Sequence, residues 1–317
     1  MPVLRIEGHP PIPAEPGKTL LQAALAAGIA LPHGCRSGLC GACRVALLDG
    51  EIDHDPHAPA ALTAAERARG LILACRARPR GDVRLALPDA RPEPPPRPRR
   101  FVTRVLAADR LGPQVLGLAL VPPPGGLAFR AGQYATLSFA GAAPRDFSFA
   151  GLPGDPALVF HLRQSRRPGT AETAGRLRPG DAVTVEAPFG TAYFRPADPA
   201  PLLLVAAGTG LAPMLSVARA ALAADPDRPV TLFRPAPPPG DRYGVDDLAR
   251  LATGHARCAL RETDPAALVA AVVAAATGRP TIHAAGPPEM VAALRHGLDA
   301  AGRRPAALRA DSFTAVG

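Results

Sequence analysis

The sequence predicts a multidomain protein: a small α+β unit, an antiparallel β-barrel and an α/β domain on a parallel sheet. Three observations predict it. The stretch PDARPEPPPRPRR, 88–100, is about half proline and otherwise mostly charged, the composition of an extended connector with no core of its own. Between 101 and about 196, short β-like runs alternate with glycine and proline turns, as in a barrel or sandwich. From Pro201, apolar strands alternate with helical segments, as in a parallel sheet covered by helices. The expected divisions are 1–90, a linker at 91–100, 101–197 and 198–317. A chain of 317 residues, 47% apolar, is too long for one ordinary core and apolar enough to bury several.

In the first division, PVLRIEG reads as a strand and GKTLLQAALAAG as a helix capped by Thr19 and stopped by Gly28. RVALLDGEI reads as strand, turn, strand. LTAAERARG is a short helix in which Thr63 and Glu66 have capping-box spacing. LILACRA and DVRLAL read as strands. The second division offers FVTRVLAA, QVLGLALV, QYATLSFA, ALVFHLRQ and DAVTVEAP as strands. The third alternates PLLLVAAG, PVTLFRP, ARCALRET, PTIHAAG and AALRADSF with four helical segments.

The formal charge of +9 is carried almost wholly by arginine, since Lys18 is the only lysine. The arginines are scattered, tryptophan is absent and there are three tyrosines, so a base-stacking platform is poorly supplied and nucleic acid is discounted. Residues 1–8 lack the pattern of a signal peptide. The longest apolar run, 201–218, is broken by Gly-Thr-Gly and a proline, unlike a membrane span. These readings point to a cytoplasmic protein. Five cysteines in such a chain favour metal or redox chemistry over a disulfide framework.

Four of those cysteines are spaced Cys35-x4-Cys40-x2-Cys43 and then Cys75. Plant-type 2Fe-2S clusters use C-x4-C-x2-C…C, four thiolates shared by two irons. Gly34, Gly38 and Gly41 let the backbone wrap closely around so compact a unit. A structural zinc site is the competing reading, but its cysteines usually come as two C-x2–4-C pairs. The fifth, Cys258, reads as a buried strand thiol.

HGCRSGLCGACRVALLDGEI and LILACRARPRGDV resemble the N-terminal ferredoxin domain of the iron–sulfur flavoprotein reductase family, and the rest of the chain resembles the ferredoxin–NADP reductase module that follows it there. The resemblance covers essentially the whole chain. It implies a ferredoxin-like (β-grasp) domain, a flavin-binding barrel and a nucleotide domain.

It also implies site residues. Arg145, Phe147 and Ser148 of RDFSFA match the flavin motif R-x-Y/F-S: a cation for phosphate, an aromatic face for the ring system and a hydroxyl near its reactive nitrogen. His161 joins the flavin set, the other histidines being scattered without a metal-ligand pattern. In PGTAETAGRLRPGD the family has a serine where Ala171 stands, so Gly169, Thr170 and Thr173 are the candidates there. The family order favours FAD over FMN. VAAGTGLAPM resembles G-G-T-G-x-A-P, with Ala207 for the first glycine; Gly208, Thr209, Gly210 and Pro213 suit a pyrophosphate at a helix N-terminus. AAGPPEM resembles C-G-P-x-x-M, with Ala285 for the cysteine and Gly286 and Pro287 kept. Ala285, Ser148 and Phe313 mark the hydride-transfer neighbourhood, with Asp311 the candidate acid beside Phe313. Arg234 and Arg242 are candidates for a 2′-phosphate, but no clear clamp is visible, which favours NADH over NADPH.

The implied route runs from NADH through flavin to the 2Fe-2S cluster and on to a partner protein. It needs no acid–base dyad, and none stands out. The leading partner is an oxygenase component, with a deoxysugar dehydratase, free flavin or ferric complexes as alternatives. A carrier or sensor without NAD(P)H turnover is the alternative of another class, raised by Ala171, Ala207 and Ala285. Arg36, Arg44, Arg76 and Arg78, near the cluster ligands, suggest a basic rim for an acidic acceptor. A monomer is expected.

Overall fold

The computed structural model describes residues 2–29, 31–33, 36–38, 41, 43–86, 96–164 and 175–313. The chain divides into two compact units, one built on residues 1–95 together with 311–313 and the other on residues 96–310.

The first unit is a β-grasp. Its five-stranded sheet has the order β2-β1-β7-β3-β5, from β1 (Val3–Ile6), β2 (Ile12–Pro13), β3 (Arg44–Asp49), β5 (Leu71–Leu73) and β7 (Val83–Ala86). The parallel pair β1–β7 lies between antiparallel neighbours. Helix α1 (Leu20–Ala26) buries Leu20, Leu21, Ala23 and Ala24, and a Thr19–Gln22 capping box closes its start. These side chains share a core with Leu4, Ile6, Leu31, Val45, Leu73 and Leu85. The short helix α2 (Ala64–Ala68) carries the Thr63–Glu66 box.

One reading of this unit differs from what the chain does. LILACRA is not one strand: it breaks after Leu73, turns through Ala74–Arg76 and resumes as β6 (Ala77–Pro79). RVALLDGEI is strand, turn, strand as read; β3 joins the main sheet, whereas β4 (Ile52–His54) pairs with β6 in a separate two-stranded sheet.

The second unit begins with a six-stranded antiparallel sheet of order β11-β10-β13-β8-β9-β12. Its strands are β8 (Arg99–Gly112), β9 (Val115–Leu120), β10 (Tyr134–Ser138), β11 (Arg145–Ser148), β12 (Leu158–Arg163) and β13 (Ala182–Phe189). A bridge between Phe149 and Phe160 joins the two ends, which closes the sheet into a barrel. Phe149 stacks on Phe129 at 4.0 Å and lies 4.9 Å from Phe160 in the barrel core.

The barrel is followed by a sheet of order β16-β15-β14-β17-β18, from β14 (Leu202–Ala206), β15 (Val230–Pro235), β16 (Cys258–Thr263), β17 (Thr281–Gly286) and β18 (Ala307–Ser312). β14 runs parallel to both its neighbours, β15 and β17, and β15 to β16. All five residues of β14 are buried, as expected for a strand covered on both faces. The helices are α3 (Leu211–Ala224), α4 (Val245–Gly254), α5 (Leu268–Ala275) and α6 (Pro288–Ala300). Helix α3 is tied to the barrel. Ser216 Oγ donates to the Gly151 carbonyl at 2.7 Å, and Arg219 grips both carboxylate oxygens of Asp155 at 2.8 and 3.0 Å. Cys258, read as a buried thiol, is only half-buried because β16 is an edge strand. Among the described residues, no helix is long and apolar enough to cross a membrane.

Candidate functional site

In the first unit, the turn at Ala74–Arg76 brings Cys75 to Cys43. The two buried sulfurs lie 3.2 Å apart, well beyond the ~2.05 Å of a disulfide. The backbone fixes this meeting: Ala74 N–H donates to the Cys43 carbonyl at 3.0 Å, and Leu21 N–H, in the first turn of α1, donates to the Ala74 carbonyl at 2.9 Å. His54 Nε2 accepts from Leu73 N–H at 3.2 Å. Burial, reinforced by His57 and Arg67, holds His54 down at about 4, so at neutral pH it is the uncharged acceptor this bond needs. Gly41, at φ +67°, is required by space as well as conformation, since a Cβ there would stand 2.5 Å from the Ala61 carbonyl oxygen. Cys35 and Cys40 lie outside the described residues. Two buried thiols held together beside a glycine cradle are the soft donors that an iron–sulfur cluster takes.

Around this pair the arginines differ. Arg44 is ion-paired with Glu66 at 3.2 Å and Arg78 with Asp55 at 3.1 Å. Arg76, next to Cys75, donates Nε to the neutral Pro56 carbonyl at 2.9 Å.

In the second unit, Arg145, Phe147 and Ser148 form β11. Strand alternation puts Arg145 and Phe147 on one face and Ser148 on the other. Arg145 is exposed and makes no ion pair among the described residues. Phe147 is half-buried, its ring 6.4 Å from Phe139, and Ser148 is buried opposite Tyr134. An exposed guanidinium and a part-exposed ring on one face suit the phosphate and ring system of a flavin. His161, expected among the flavin contacts, is a buried ring whose Nδ1 is taken by the Tyr243 hydroxyl at 2.9 Å. Burial pushes this histidine down to about 4 and the Tyr243 phenol up. Gly169, Thr170 and Thr173 lie outside the described residues.

β14 and β17 are adjacent strands whose following connections lead to opposite sides of the sheet. This is the switch point where α/β sheets bind ligands at the carboxyl ends of their strands. The turn Gly208–Gly210 follows β14 and leads into α3, with Pro213 in its first turn. A Cβ at Gly210 would come 2.0 Å from the Ala285 carbonyl oxygen, so only glycine lets the turn lie so close to β17. Ala207 has φ −127° and ψ 130°, ordinary extended backbone that an alanine adopts freely, and its N–H donates to the Ala285 carbonyl at 3.0 Å. Ala285 and Gly286 end β17 fully buried, and Pro287 caps α6. Phe313 follows β18 and is half-buried; Asp311 is buried within that strand.

Sequence reasoning missed Arg163, on barrel strand β12. Its Nη1 lies 3.9 Å from where a Cβ on Gly208 would be, so a cation hangs beside the nucleotide turn. No local motif marks it; only the return of the barrel strand to the turn does.

Residues 5–80 match the 2Fe-2S iron-sulfur cluster binding domain. The chain is 37% identical over 255 residues to the reductase subunit of an aromatic O-demethylase from Amycolatopsis sp., covering 77% of this chain and 75% of that protein. It is 32% identical over 247 residues to the ferredoxin–NAD(P)(+) reductase component of a Pseudomonas putida naphthalene 1,2-dioxygenase system, covering 77% of this chain and 74% of that one. The crystal structure of an Amycolatopsis cytochrome P450 reductase, GcoB, is 32% identical and matches with a TM-score of 0.73 over 99% of both chains. The chain therefore belongs to the iron–sulfur flavoprotein reductases, NAD(P)H oxidoreductases that join a 2Fe-2S ferredoxin domain to an FAD-binding reductase module.

Proposed function

We propose that this chain takes electrons from NADH through FAD and its 2Fe-2S cluster to an oxygenase component, as a monomer in the cytoplasm. The observation that carries the reading is a single compact unit holding both the Arg145–Ser148 strand and the Gly208–Gly210 turn at the switch point of its sheet. When bound, the nicotinamide supplies two electrons as a hydride, the flavin accepts that pair and releases single electrons, and the cluster carries one.

The residues then have separable tasks. Cys43 and Cys75, with Cys35 and Cys40, hold the irons. Arg145 neutralises flavin phosphate, Phe147 packs on the ring system and Ser148 offers a hydroxyl. The N–H groups of Gly208 and Thr209, at the turn that leads into α3, would receive the nicotinamide pyrophosphate, with Arg163 compensating its charge. Ala285 and Gly286, buried at the end of β17, back this turn, the Ala285 carbonyl accepting from Ala207 N–H. Gly169, Thr170 and Thr173 remain candidates for the flavin pyrophosphate, and Phe313 for the far face of the ring. The relatives are named as the reductase subunit of an aromatic O-demethylase and the reductase component of a naphthalene 1,2-dioxygenase system, which supports an oxygenase partner. Arg44 and Arg78 are ion-paired, and Arg76, beside Cys75, is a cluster-side cation placed to steer an acidic acceptor. The substitution Arg76→Glu is expected to slow acceptor reduction and flatten its salt dependence; unchanged rates at low salt would sink the steering role.

Anaerobic NADH titration of the purified protein, followed by visible absorption, tests the whole reading. Bleaching of both flavin and iron–sulfur bands supports it. Bands that respond to neither NADH nor NADPH would replace it with an iron–sulfur carrier or sensor.

A further inference from the structure

Arg234 is the arginine best placed to choose between nicotinamide nucleotides, and it is already occupied. It lies at the carboxyl end of β15, one residue beyond Phe233, the register partner of Val205 on β14. In dinucleotide folds, the end of the second strand is where a carboxylate takes the ribose 2′-hydroxyl of NADH, or an arginine the 2′-phosphate of NADPH. The loop from this strand returns against the nucleotide helix: a Cβ at Gly244 would stand 3.3 Å from Nη1 of Arg234 and 2.1 Å from Cδ2 of Leu211, the first residue of α3.

Arg234 is 6% exposed, and each nitrogen of its guanidinium has a protein acceptor. Nε and Nη2 donate to Glu262 Oε1 at 2.8 and 2.5 Å, and Nη1 donates to the Tyr243 carbonyl at 2.8 Å. The Glu262 side chain is 37% exposed, so it turns a solvated carboxylate outward from the pair. Parallel register makes the pairing obligatory, because Arg234 and Glu262 are direct partners across β15 and β16. Arg242, the other candidate, sits in an exposed pair with Asp246 on the first turn of α4, an arrangement that binds weakly and selects little.

We propose that Glu262 is a specificity-determining residue. By closing Arg234 into an ion pair it denies the 2′-phosphate of NADPH its guanidinium, and its own charge repels that phosphate, which keeps the enzyme on NADH. The inference rests on the nucleotide site proposed above.

The test is calorimetric binding of 5′-ADP and 2′,5′-ADP to the full chain with its cofactors. The proteins are wild type, Glu262→Ala, Glu262→Gln and the double variant Glu262→Ala/Arg234→Ala. Wild type should prefer 5′-ADP. Both single variants should shift the preference toward 2′,5′-ADP by ~10-fold or more, the scale of one charge-assisted hydrogen bond. The NADPH-to-NADH ratio of kcat/KM should move the same way. The double variant should lose the gain, which assigns it to the Arg234 guanidinium. An unchanged preference in folded Glu262→Gln overturns the proposal while the nucleotide site stands, and Glu262→Gln keeps the test alive if the alanine variant misfolds. A gain that survives in the double variant also overturns it, since Glu262 would then act without Arg234. Failure of wild type to bind either nucleotide would instead remove the underlying site.

Discussion

At Gly210 the whole nucleotide turn depends on a missing methyl group. A Cβ 2.0 Å from the Ala285 carbonyl oxygen cannot be accommodated without moving β17 or the turn itself. Gly210→Ala should therefore cut NADH oxidation by ~100-fold or more, the cost of a misplacement near 1 Å, while visible flavin and iron–sulfur bands persist. Steady-state turnover with an artificial electron acceptor measures it, and near-normal turnover would show that the turn does not position the nucleotide. The departures from the family pattern at Ala207 and Ala285 are unequal at this scale. Ala207 occupies ordinary extended backbone and strains nothing, whereas Ala285 is fully buried and contributes its carbonyl to the turn. A motif comparison weighs them alike because it sees letters and no dihedral angles. Arg234 was legible as a cation in the right place. Its capture was not, because Glu262 is 28 residues away and only parallel register brings it opposite.

Element boundaries were most legible where side chains cap the backbone. Thr19 and Thr63 each stand three residues before a Gln or Glu, and both form reciprocal boxes. Thr19→Ala should cost ~1 kcal/mol of the ferredoxin unit's stability. The same change should hasten loss of the cluster, since the first turn of α1 holds the Cys75 turn through Leu21 and Ala74. Thermal bleaching of the iron–sulfur band, compared with wild type, reads this; coincident curves would mean the cap is dispensable. The break inside LILACRA was illegible because it contains no glycine, proline or turn-forming polar residue. Non-local bonds make it: the Cys43 carbonyl takes Ala74 N–H, and His54, from the neighbouring small sheet, takes Leu73 N–H.

For the molecule as a whole, buried histidines set the acid limit. His161 is held at about 4 by burial, and His283 at about 3 by burial and then Arg309. Unfolded histidine takes up its proton near 6.5, so the unfolded chain binds more protons below that pH. Stability that is full above pH 6.5 is then lost as pH falls, down to about 4 for His161 and about 3 for His283. Each contributes a slope of up to ~1.4 kcal/mol per pH unit. Melting of the holoprotein, followed by flavin fluorescence from pH 7.5 to 4.5, should show the decline, and His161→Asn should make it shallower. A flat melting temperature across that range would contradict the burial of both rings.

The clamp of α3 on the barrel, through Ser216 and the Arg219–Asp155 fork, constrains anyone who would recombine these reductases. A chimera that takes its flavin barrel from one parent and its nucleotide sheet from another inherits half a lock unless Asp155 and Arg219 travel together. Barrel and nucleotide sheet are therefore exchanged together or not at all.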